Sequence, residues 1–239
     1  METSAPAQPT SDRYPRVASP THTILVLAAL AGWAFWHKTS VDQLSTEANP
    51  NRVRFYLVII FFEWLLFLLV VAGVRLSGTP MRIILGDRWH SLRQVLRNIG
   101  IAAGFWVVTW VLLWIIGWLL RIAALGRNLQ FILPHRGIEL TVWIALSVTA
   151  GFCEEAIFRG YLQPQLMALT KSAPVGIFLS AATFGASHAY QGFRMVILIS
   201  LYGAMFGILA YWRGTVRPGM IAHVWNDSLN GVLASLVRH

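Results

Sequence analysis

Residues Ile99–Leu120 read IGIAAGFWVVTWVLLWIIGWLL, without one charged side chain. Coiled as a helix, a run of this length extends about 30 Å, the thickness of a bilayer's hydrocarbon core. It is apolar on every side, so it has no face to offer to water. Upstream, Val53–Val74 repeats the pattern and is interrupted only by Arg54 and Glu63. The whole chain agrees with these two runs: of 239 residues, 56% are hydrophobic and 12% charged. The mean hydropathy is +0.58, and too few charges remain to cover a soluble surface of this size. Several of the 11 tryptophans stand near run ends (Trp33, Trp36 and Trp212), as interfacial anchors do.

The net charge of +9 follows the loops. Arg75, Arg82, Arg88, Arg93 and Arg97 lie between two apolar runs. That placement points to topology and anionic headgroups and excludes a groove for nucleic acid. One cysteine, Cys153, excludes an internal disulfide framework and any site built from several cysteines.

Met1–Pro20 is polar, rich in Pro, Ser and Thr, and reads as a disordered tail, residues 1–20. Ile24–Trp36 lacks a small-residue cleavage site and reads as a first, short membrane helix rather than a signal peptide. Met81–Asn98 alternates arginines with apolar residues, the pattern of an interfacial amphipathic helix. Further spans are Leu140–Phe158, Val175–Tyr190, Met195–Trp212 and Met220–Val237. The fold class is all-α: a polytopic transmembrane bundle of about seven or eight helices. Residues 21–140 form an N-terminal membrane part and 141–239 a C-terminal core. Lys and Arg favour the N-terminal side, 11 against 8, which places the N-terminus in the cytoplasm.

Charge inside the core is where chemistry is expected. Residues 151–160 read GFCEEAIFRG. Acids in apolar helices are costly and face a protein interior or a water-filled cavity. Glu155 and Arg159 are four apart, with the acid first, and can pair. Glu154 points about 100° away from Glu155 and stays free to exchange a proton. The plainer alternative is that both acids tie helices together, although one would suffice for that. Two later runs carry Phe184-Gly-Ala-Ser-His188 and His223-Val-Trp-Asn-Asp227, each with its end residues on one helical face. A lone histidine in an apolar helix usually serves packing; two on separate helices, with a free acid, suggest a site. Gly203 and Gly207 form a small-residue face that reads as packing alone. Glu63 has no partner in the sequence pattern and reads as a cavity-facing or interhelical residue.

In this order, Glu-Glu-x-x-x-Arg, Phe-x-x-x-His and His-x-x-x-Asp resemble the CAAX protease and bacteriocin-processing family. This is the family of type II CAAX prenyl endopeptidases, also called Abi proteins. Phe158-Arg-Gly-Tyr-Leu and Arg217-Pro-Gly-Met-Ile-Ala-His fit as flanks, and the resemblance covers Thr141 to Leu236. It implies an intramembrane glutamic endopeptidase acting on a protein or peptide substrate at the bilayer, without a cofactor. Glu154 and His188 would activate a water, and Glu155 and Arg159 would support them. His223 and Asp227 would hold the oxyanion and orient the substrate. The family often has Asn where this chain has Asp227, and Asn226 stands one residue earlier. An ionised Asp repels an oxyanion, so Asp227 must be protonated, paired with His223, or outside the oxyanion hole. The short bacterial members it resembles imply a bacterial plasma membrane.

Peptide hydrolysis suits these residues, because desolvation in an apolar cavity strengthens a carboxylate as a base. Zinc is a rival: Glu154, His188 and His223 form a His₂Glu set. A serine dyad through Ser187 would leave Glu154, Glu155 and Arg159 unexplained, and a buried Cys153 reads as inert packing. A non-proteolytic regulatory or bacteriocin-immunity protein of the same fold is the alternative from another class. A transporter would more often show paired repeats and broken helices.

Overall fold

A computed structural model describes residues 14–119, 126–135 and 137–237. The first thirteen residues of the predicted tail, Leu120 and the last two residues lie outside them. Among the described residues the chain is helical throughout, with no strand. Helix α1 (Pro20–Leu44) is followed by α2 (Arg52–Leu76), a short α3 (Arg82–Leu85) and α4 (Leu92–Leu119). A 3₁₀ segment (Gly126–Ile132) leads to α5 (Ile138–Glu154), which continues through a π-helical stretch (Glu155–Leu162) into α6 (Gln163–Thr170). Helix α7 (Ala173–Ser187), a 3₁₀ turn (Ala189–Gln191), α8 (Phe193–Arg213) and α9 (Arg217–Val237) complete the bundle.

Among the described residues, five helices are long and apolar enough to cross a membrane: α1, α2, α4, the continuous Ile138–Thr170 rod, and α8. Helix α7 is apolar but has 15 residues. Helix α9 has the length, but His223, Asn226, Asp227 and Asn230 dilute its hydropathy. The surface is inverted relative to a soluble protein. Phe35, Leu68, Trp114, Trp118 and Ile208 face outward, while Glu63, Glu155, Arg159 and His223 are buried. With lipid as the solvent, that is the arrangement of lowest cost. The protein is an integral membrane helical bundle.

Local chemistry sets the helix ends. Ser19 accepts from the His22 amide and Asn51 from the Arg54 amide, each capping the first turn of its helix. Helix α1 is longer than the apolar run predicts, because capping extends it beyond that run at both ends. Two expectations are corrected. Met81–Asn98 is not one amphipathic helix: α3 stops at Leu85, Gly86 has φ of 78°, and α4 begins only at Leu92. Arg217 fixes this break by donating to the carbonyls of Leu85 and Gly86 (3.2 Å each) while lying over the Trp89 ring. The predicted tail is also too long. Val17 and Ala18 are buried, and the Gln165 amide group bonds Val17 N, Ala18 N and Ala18 O.

Helix α5 packs against α2 on one side and α9 on the other, and α7 packs along α8. Gly151 sets the α5–α9 approach. A Cβ there would lie 2.9 Å from the Val224 amide nitrogen and 3.1 Å from the Met220 carbonyl oxygen, both backbone atoms of α9. Gly151→Val therefore has to push α9 away from α5. We expect a loss of about 1–3 kcal/mol, the usual cost of overpacking, read as a lower midpoint in thermal unfolding in lipid nanodiscs. An unchanged midpoint would show that the helices separate freely at this point. Gly203 and Gly207 bring α8 close to its neighbours, as the small-residue pattern predicts. They also do more than pack, since the Gly203 carbonyl accepts from Arg159 and the Gly207 carbonyl from Gln163.

Candidate active site

Glu154 is the last residue of α5, and Glu155 opens the π-helical stretch. A π-helical turn adds a residue per hydrogen-bonded loop and often marks a functional site. Here the His223 ring of α9 has a carboxylate on each nitrogen. Nδ1 lies 3.1 Å from Glu155 Oε1, and Nε2 lies 3.6 Å from Glu154 Oε2. Both acids thus serve one histidine, where the helical projection predicts divergent roles. The Glu155–Arg159 pair forms as its spacing predicts, with Arg159 Nη1 donating to Glu155 Oε1 at 2.9 Å, both side chains about 1% exposed. Arg159 Nη2 donates to the Gly203 carbonyl, and the guanidinium lies over the Phe184 ring at 4.2 Å. This is a buried cation with hydrogen bonds and an aromatic face.

His188 is positioned differently from the expectation. It caps α7 rather than continuing it, with φ of −100°. Its Nδ1 stands 2.9 Å from the Phe184 carbonyl. A carbonyl can only accept, so Nδ1 carries the proton and Nε2 presents a lone pair. That Nε2 lies 3.9 Å from Glu154 Oε1. Phe184 and His188 therefore do cooperate across four residues, through backbone oxygen and ring nitrogen. The Ser187 hydroxyl donates to the same Phe184 carbonyl at 2.7 Å, which leaves it tied to its own helix. Cys153 is free and fully buried.

Asp227 faces His223, with Oδ2 3.5 Å from Nε2, and its Oδ1 accepts from the Asn226 amide at 3.1 Å. Asp227 thus stands beside His223, and its carboxylate is also engaged by Asn226. Trp143 Nε1 donates to the Asp227 carbonyl, fastening α9 to α5. The rings of Phe184, Tyr202 and Phe206 surround His223.

Glu154, His188, His223 and Asp227 open onto one cavity of about 530 Å³. Its other wall is apolar, with Phe55, Ile59, Leu113, Ile132 and Leu198 contributing. Glu63, His37 and Tyr202 also line it, and the sequence pattern assigned none of them to the site. For Glu63 the signal was present, a carboxylate in an apolar run. His37 lies just past the apolar run Ile24–Trp36 and no sequence pattern gives it a role, yet it is buried and stacks on Tyr190 at 4.1 Å. Among the described residues, no group of three His, Cys, Asp or Glu side chains is arranged to hold a metal ion.

Residues 136–229 match the profile of the family described as Type II CAAX prenyl endopeptidase Rce1-like. No curated protein and no solved structure matches the chain. The matched segment contains Glu154, Glu155, Arg159, His188, His223 and Asp227. Through the segment that builds this cavity, the chain is similar to the type II CAAX prenyl endopeptidase Rce1-like family.

Proposed function

We propose that the protein is an intramembrane endopeptidase that cleaves a membrane-associated protein or peptide with a water activated by Glu154 and His188. The observation that carries this reading is Glu154, which faces His188 at 3.9 Å and His223 at 3.6 Å within one cavity. Both gaps are too long for direct hydrogen bonds. A water about 2.8 Å from both Glu154 Oε1 and His188 Nε2 would form a triangle on the first gap.

In this scheme His188 Nε2 accepts one hydrogen of the water and aligns it, while Glu154 removes the other as a proton. The water oxygen bonds to the substrate's carbonyl carbon, and the carbonyl oxygen becomes an oxyanion. His223 Nε2–H stabilises that charge, its ring held by Glu155 through Nδ1, while Asp227 stands beside Nε2 at 3.5 Å without occupying it. As the intermediate collapses the C–N bond breaks, and Glu154 returns its proton to the leaving amine. The apolar wall of the cavity suits a hydrophobic, extended stretch of substrate. The scheme uses no metal.

The test is a comparison of membrane proteomes from a source strain lacking the protein, the same strain with the wild type restored, and one carrying Glu154→Ala. We expect the null and Glu154→Ala strains to accumulate the same uncleaved protein or peptide, and the wild type to clear it. Identical proteomes in all three would overturn the proteolytic reading in favour of a regulatory or immunity role. Cleavage by the purified protein is expected to survive a strong chelator. Loss that zinc restores would replace the water-activating scheme with a metal-dependent one.

A further inference from the structure

Glu63 lies halfway along α2, outside the segment matched to the family, and is about 5% exposed. It lines the catalytic cavity, and it also borders a second, narrow void with Glu154, Leu30, Ile157 and Ser187. Its carboxyl thus shares both spaces with that of Glu154. Its Oε2 meets no N–H or hydroxyl donor among the described residues. An ionised carboxylate can only accept hydrogen bonds, so a bond between two carboxyls requires a proton on one of them. Two bare carboxylates facing one narrow void inside an apolar bundle would repel each other and lose hydration without compensation.

Which acid holds the proton follows from the reaction proposed above, on which this step rests. Glu154 must start ionised to take a proton from water, so the shared proton belongs to Glu63. We infer that Glu63 is a positioning residue: a neutral carboxylic acid on α2 that donates to the Glu154 carboxylate and holds it between His188 and His223. Neutral Glu63 adds no second negative charge to the cavity. Its bond fixes one Glu154 oxygen while leaving the carboxylate able to turn toward water. An acid-to-carboxylate hydrogen bond is among the stronger kinds and is directional. The base is thereby held in line from a helix that supplies no other polar group to the reaction.

The experiment has two arms, both on the full-length protein in lipid nanodiscs. The first needs no substrate. Infrared spectra in D₂O should contain a protonated carboxylic-acid carbonyl band that Glu63→Gln removes and Glu154→Gln retains. Absence of any such Glu63-dependent band overturns the inference. The second arm follows hydrolysis of internally quenched peptides with hydrophobic cores. Glu63→Leu removes the donor, and kcat is expected to fall by about tenfold or more, the size of a lost charge-assisted hydrogen bond. KM is expected to stay within about twofold, since the bond acts on the base and not on substrate binding. Glu63→Gln keeps a donor at the same reach and should restore kcat to within about threefold of wild type. Equal loss in Gln and Leu variants, or full activity in Leu, overturns the positioning role. If the wild type cleaves none of the peptides, the proposed reaction is what fails, and the infrared band still decides where the proton lies.

Discussion

Glu154→Gln is expected to abolish peptide hydrolysis by the reconstituted protein while leaving its folding intact. The amide has the shape of the acid but cannot take a proton from water, so the whole contribution of general-base catalysis is lost, about 10²–10⁴-fold in kcat. Stability is the informative control. The Glu154 side chain is about 15% exposed at the edge of the cavity, and its nearest histidine nitrogens stand beyond hydrogen-bonding distance. Its replacement therefore breaks no buried ion pair, and the thermal midpoint should remain near that of the wild type. The measurement is kcat and KM on quenched peptides beside an unfolding curve of the same sample. Wild-type turnover in the Gln variant would remove Glu154 from the reaction. A collapsed midpoint would recast it as a tie between helices. The same substitution leaves Glu63 facing an amide, so the infrared band attributed to Glu63 should persist in a protein that no longer cleaves.

The residues that carry these expectations were unequally legible in the chain. Membrane spans follow from hydropathy, because lipid imposes one rule on every residue of a helix. The Glu155–Arg159 pair follows from a spacing of four, and it forms even within π-helical geometry. What local spacing could not supply was direction. A helical wheel separates Glu154 from Glu155, but the ring of His223 enters from α9, 68 residues downstream of Glu155, and takes one carboxylate on each nitrogen. The end of α7 was equally hidden: Ser187-His188 continues an apolar pattern, and it is the 3₁₀ turn at Ala189–Gln191 that halts the helix and turns Nε2 toward Glu154. Glu63 was visible as an anomaly but lacked a partner, because Glu154, which borders the same narrow void, lies far along the chain on another helix. Pattern thus finds groups that must be buried together; which atoms meet depends on helix crossings that only packing determines.

Arg159→Met is expected to cost the largest share of stability of any single change in the site. Arg159 and Glu155 are both about 1% exposed, and removing one partner of a buried pair leaves the other charge uncompensated, typically about 3–5 kcal/mol. Here the loss extends further. Nη2 no longer satisfies the Gly203 carbonyl, and the cation over Phe184 is gone. Glu155 Oε2 already lacks a hydrogen-bond partner among the described residues, so the orphaned acid would hold only the His223 Nδ1 contact. The measurement is reversible unfolding in mixed detergent, with Arg159→Lys and the double variant Arg159→Met/Glu155→Gln beside it. Lys keeps the charge but cannot fork to Glu155 and Gly203 together, so it should recover only part of the loss. The double variant removes the unpaired acid and should be more stable than Arg159→Met alone, because neutralising both partners costs less than stranding one. Its activity should nevertheless stay low. The amide that replaces the Glu155 carboxylate presents no charge to His223 Nδ1, and the ring proposed to stabilise the oxyanion loses its charged support. A double variant no more stable than Arg159→Met would mean that the guanidinium acts mainly through Gly203 and Phe184. Recovery of both stability and turnover would mean that Glu155 is a ballast for Arg159 and has no part in holding His223.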